Sequence, residues 1–204
     1  MARWRTGQSM GYGACHSNML CKPQLQAHIE YAGAEIMESL AEWLNPTRIV
    51  GMSAYLFAAA SCGIAWVRSR NIPGSRRLIA ILGALEAGLI LDMALNGRWL
   101  LHDLLEGKAM ANNLYAQRVW PQLLALGLLS AVAAAGMWSA LLFLHGRAGA
   151  SVAVCGAILS LSCWCAEVIS LHAIDVVFHR MVDGAMLVSL IWIASSLMTG
   201  LGIL

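Results

Sequence analysis

The chain has 204 residues, of which 59% are apolar and 12% charged, against about 45–50% and about 25% in an ordinary soluble domain. So few charges cannot cover a globular surface of this size, which excludes a soluble protein and leaves an integral membrane protein with one membrane domain. The thirteen basic and eleven acidic residues leave a net charge of +2, and with no Lys/Arg run to track phosphates, nucleic acid is excluded as a partner.

Residues 1–46 read as an extramembrane tail. No apolar stretch follows the first basic residues, so no cleaved leader is expected. Leu25, Ile29, Ala32, Ile36, Leu40, Trp43 and Leu44 recur at three- and four-residue steps, the stripe of a helix whose other side carries Glu30, Glu35, Glu38 and Glu42. Helices on a membrane surface carry Lys and Arg there, so an acidic helix packing on a loop or a partner is expected, ending at Asn45-Pro46. Met37 would open a compact alternative start just before the first span.

Residues 47–204 form the membrane domain. Crossing about 30 Å of hydrocarbon takes roughly 20 helical residues, and five apolar runs qualify: 49–67, 78–101, 123–144, 150–171 and 184–204. Continuous runs of this length predict helices rather than barrel strands, hence an all-α bundle of about five transmembrane helices. The first, third and fifth are uncharged, while the second contains Glu86, Asp92 and Arg98. The fourth holds Glu167 and is expected to continue as a polar turn or two through His172, Asp175 and His179. An odd number of spans does not divide into inverted halves, which disfavours a repeat-built transporter. In the third span Gly127, Ala131, Ala135 and Ser139 recur every fourth residue, a stripe that permits close helix approach at the bundle centre or in a homodimer seam.

Orientation follows from the connections. Arg68, Arg70, Arg76 and Arg77 surround Pro73-Gly74, and short Arg-rich loops stay cytoplasmic. That puts the amino end outside and the carboxyl end at the inner face, with a bacterial cytoplasmic membrane as the expected location. Trp43, Trp66, Trp99 and Trp120 fall near span ends, where an aromatic belt would place them. The six cysteines show no CxxC spacing, and the four in apolar runs read as small hydrophobes.

Intramembrane acids are rare and mark protein-facing or water-facing positions. At about 100° per residue, Asp92, Asn96, Trp99 and Asp103 fall within roughly 60° on the second helix, while Glu86 lies apart in angle with a separate partner on the fourth helix or a Ser. Trp164, Cys165, His172, Asp175 and His179 share a face of the fourth helix. His172 and His179 are about 10 Å apart along the axis, too far to chelate one ion alone, so a shared site needs a second helix. Because both helices run outward, Asp92, His102 and Asp103 are expected to meet His172, Asp175 and His179 at the outer membrane face.

Three uses of such a cluster follow. Its members can cap helix ends and pair with Arg98, Arg118 and Arg180. Alternatively, two histidines from different helices, His102 with His172 or His179 as substitute, can bind haem, or imidazole and the carboxylates of Asp103 and Asp175 can bind a metal. Lastly, Asp92 and Glu86 can line a proton or ion path. No phosphate loop, serine nucleophile motif or HExxH motif is present, so no enzyme chemistry is expected. The leading expectation is a non-catalytic accessory or assembly subunit, contacting lipid and other membrane proteins or a second copy of itself. A haem- or metal-binding electron-transfer protein and a small ion or proton transporter are the alternatives.

Overall fold

Asn45 and Pro46 start the first membrane helix for a local reason. The Asn45 side chain accepts a hydrogen bond from the Thr47 N–H at 3.0 Å, and Pro46 lacks an N–H that the first turn could not have satisfied. In the computed structural model, which describes residues 45–69, 73–112, 115–170, 172–182 and 185–204, α1 (Pro46–Arg68) is followed by α2 (Pro73–Leu95) and α3 (Gly97–Ala111). A single 3-10 turn at Tyr115–Gln117 leads into α4 (Val119–Phe143) and then α5 (Ala148–Ile169). The chain closes through α6 (His172–Phe178), a two-residue hairpin of β1 (Met181–Val182) and β2 (Ala185–Met186), and α7 (Leu187–Ile203). The acidic stripe expected between Leu25 and Leu44 lies outside the described residues.

Among the described residues four helices, α1, α2, α4 and α5, are long and apolar enough to cross a membrane, and α7 is a shorter apolar helix. The protein is an all-α membrane bundle of about five helices. α7 is central, packed against α1 on one side and α5 on the other, while α2 lies against α1 and α4 against α5. Small residues make this possible. A Cβ on Gly156 of α5 would stand 2.5 Å from the Ser195 carbonyl oxygen and 2.6 Å from the Thr199 nitrogen of α7. Gly149 and Gly202 face one another just as closely, so the two backbones touch along the seam.

Two expected helices are interrupted. The second span does not run unbroken to Leu101: α2 stops at Leu95, and Asn96 takes a left-handed conformation with φ 55°. Asn tolerates that conformation better than most residues. Arg48 of α1 fixes the break, donating to the Met93 carbonyl from Nε at 2.9 Å and Nη2 at 2.7 Å, and to Asn96 Oδ1 at 2.6 Å. Likewise α5 ends at Ile169, with Ser170 left-handed at φ 46° and its hydroxyl donating to Asp175 Oδ2 at 2.6 Å. His172, Asp175 and His179 therefore belong to a separate short segment. The stripe of Gly127, Ala131, Ala135 and Ser139 is on the exposed side of α4 and not at the bundle centre, whereas Ala133 and Ala140 meet α5.

Candidate functional site

The break at Asn96 turns Arg98 back into the bundle. Its Nε donates to Asp92 Oδ2 at 3.0 Å, and its Nη1 makes a charge-assisted hydrogen bond to Glu167 Oε2. One guanidinium thus ties α2, α3 and α5 together. All three side chains are nearly buried, at 7%, 12% and 8% exposure for Arg98, Asp92 and Glu167. In such surroundings each charge needs the others, since an unpaired one would face several kcal/mol of desolvation. Gly97 leaves them room, because a Cβ there would lie 2.8 Å from Asp92 Oδ1 and would displace that carboxylate. Trp192 of α7 presents its ring 5.2 Å from the Arg98 guanidinium carbon, within cation–π range, and Tyr55 of α1 packs against Trp192 with centroids 6.4 Å apart. Arg98 Nη2 and Trp192 Nε1 are buried without an acceptor.

Next to this cluster, His102 of α3 places Nδ1 3.2 Å from the Val168 carbonyl. A carbonyl can only accept, so Nδ1 carries the hydrogen and Nε2 is turned toward Glu106, 3.7 Å away. Glu106 also faces Arg118 at 3.9 Å. Donor atoms of His102, Asp103 and Glu106 lie within 4.8 Å of one another, the arrangement a cation could use. Trp99 contacts two imidazoles, edge-on to His102 at 6.2 Å and tilted against His179 at 6.1 Å. Asp175 is engaged by Ser170, and His179 is exposed, with Nδ1 2.9 Å from the Asp175 carbonyl.

The structure thus brings together Asp92 with Glu167 through Arg98, and His102 with Asp103 and His179 around Trp99. Asn96 serves the helix break instead of sharing a stripe with Asp103, which is exposed. His172 opens α6, and its side chain lies outside what the structure describes. Glu86 stands apart from all of these. It is fully buried, with neither oxygen hydrogen-bonded. Arg48, Tyr55 and Trp192 are the participants sequence reasoning passed over. Arg48 offered one signal, a cation in the first turn of a helix opened by Asn45-Pro46, and the two aromatics offered none beyond their apolar setting. Known protein families, curated proteins and solved structures yield no match to this chain, so the reading of the site rests on its geometry.

Proposed function

We propose that the protein is a non-catalytic component of a membrane assembly. The observation that carries this reading is the placement of α4. Among the described residues this 25-residue helix packs mainly on α5, and only Ala133 and Ala140 of it are buried. Its exposed side holds the small residues Gly127, Ala131, Ala135 and Ser139 in register for another transmembrane helix, from a second copy or a different chain. The ionic cluster fits the same role, because Arg98 is spent on holding three helices. The test is the protein molar mass of the full chain in mild detergent. A mass above one chain, or a stoichiometric second chain, is expected for the wild type, and Ala135→Leu should reduce it without loss of helicity. A monomer with no stoichiometric companion, or an Ala135→Leu variant of unchanged mass, would sink the proposal.

A second reading, a metal- or haem-binding protein, is favoured by one observation. His102 donates through Nδ1 to a backbone carbonyl and frees Nε2 beside Asp103 and Glu106, the way metal-ligating histidines are commonly held. Haem would need a second axial ligand, for which His172 is the proposed residue and His179 the substitute. Metal analysis and absorbance spectra before and after dithionite decide this. Stoichiometric metal or a Soret band that His102→Ala removes would establish it; wild-type protein free of both would eliminate it.

A further inference from the structure

Glu86 occupies the middle of α2, and its side chain is fully buried. Every other intramembrane acid among the described residues is neutralised: Asp92 and Glu167 both hold Arg98. Glu86 forms no ion pair among the described residues, and both its oxygens are without a hydrogen-bond partner. Its carboxyl reaches toward the Thr199 hydroxyl of α7. That hydroxyl also lies 3.1 Å from the Ser195 carbonyl and 3.4 Å from the Ala153 carbonyl, so its single hydrogen has other acceptors while its oxygen can still serve a cation beside the acid. Ser196, one turn from Thr199 on the same helix, is also fully buried with its hydroxyl oxygen unpartnered. Unpartnered oxygens on α2 and α7 therefore share the interior of a bundle that otherwise satisfies its buried acids.

We propose that Glu86 is the binding carboxylate of an intramembrane site for one monovalent cation, a proton or a sodium ion, to which the α7 hydroxyls of Thr199 and Ser196 contribute oxygens. The charge balance selects the class. One carboxylate neutralises one positive charge, and the two other buried acids are committed to Arg98, so a divalent ion would bring an excess charge into the membrane interior. Oxygen donors suit hard cations. A carboxyl retained only for packing would be expected to receive a donor, as Asp92 and Glu167 do, because a buried acceptor left unmade is destabilising. The titratable groups near it carry no positive charge. α1 supplies the Cys62 thiol and, further along, Tyr55. α7 supplies only hydroxyls, Glu167 of α5 is bonded to Arg98 of α3, and the Cys163 thiol of α5 lies near that pair. The site is independent of the α4 surface, so it can fail while the assembly reading stands.

The experiment uses full-length protein in detergent and its Glu86→Gln variant, which keeps side-chain size and removes the charge. Melting temperature is followed over the acid-to-neutral range in choline chloride and in sodium chloride. In parallel, dicyclohexylcarbodiimide, which attacks protonated carboxyls in apolar surroundings, is applied and the modified residue located by mass spectrometry. For a proton site, labelling of Glu86 falls several-fold as pH rises and the wild-type melting temperature varies with pH in a way Glu86→Gln does not. For a sodium site, sodium but not choline slows labelling several-fold and raises the wild-type melting temperature alone. Either result in either readout supports the site. Wild type and Glu86→Gln melting in parallel under every condition, with Glu86 either unlabelled or labelled at a rate indifferent to pH and sodium, overturns it and leaves a packing acid or a bound water.

Discussion

Arg98 is the residue on which three helices depend, and its surroundings set what its loss should do. Asp92 and Glu167 are both nearly buried and both bonded to the same guanidinium. Removing it by Arg98→Met would strand two carboxylates in a low-dielectric interior, while the Met stem still fills the space beside Trp192. Breaking a buried ion pair from one side destabilises by about 3–5 kcal/mol. Replacing all members together is far milder, because no charge is left uncompensated. Arg98→Met should therefore lower the melting temperature steeply, and the triple variant Asp92→Asn/Arg98→Met/Glu167→Gln should recover most of the loss. Equal stability of Arg98→Met and wild type in detergent unfolding would show that the cluster does not hold the helices together.

At the scale of elements, the number and type of helices were legible because a membrane span is a matter of length and apolar content, and 19 uncharged residues from Ile49 to Val67 admit little else. The breaks were not legible, because hydropathy continues across them. Leu95, Trp99 and Leu100 flank the Asn96 turn with side chains as apolar as those before it, and what stops α2 is a guanidinium from α1, forty-five residues away at Met93. A stripe calculated for one straight helix then mixes residues of two, which is why Asp92 is nearly buried and Asp103 exposed. Small-residue periodicity misled for a related reason. It is present on α4 at Gly127, Ala131, Ala135 and Ser139, and also on α5 and α7 at Gly149, Ala153, Gly156, Thr199 and Gly202. Only the tertiary arrangement makes the second set the close seam. Within the site, Glu86 could be separated from Asp92 by angle alone, and Arg98 could be named as a partner for acids across helices. That Glu86 has no ion-pair partner among the described residues could not be read, since it depends on what three other helices fail to offer.

For the whole molecule, the bundle sorts its charges by end. Thr47 Oγ1 of α1 accepts from the Met186 N–H at 3.3 Å, and Gln122 of α4 donates to the Ile169 and Ser170 carbonyls at 3.0 Å each. The start of α1 and the end of α5 therefore lie at the end of the bundle that carries α3 and α6. This end mixes Asp103, Glu106 and Asp175 with Lys108, Arg118 and Arg180. At the opposite end Gly149 meets Gly202, and the charged side chains there among the described residues, Arg68, Arg76, Arg77 and Arg147, are all basic, with Arg76 lying 4.4 Å over the Trp66 ring. Short loops rich in Arg resist translocation, so we expect this second end to face the cytoplasm. A green fluorescent protein fused after Leu204 should then fluoresce, and alkaline phosphatase fused after Asn112 should be active. Exchanging Arg68, Arg76 and Arg77 for Glu should lower both signals by letting part of the population insert the other way. A dark carboxyl-terminal fusion together with an inactive Asn112 fusion in the wild type would reverse the assignment, placing His102, Asp103 and Glu106 on the cytoplasmic side and any cation they hold in exchange with the cell interior.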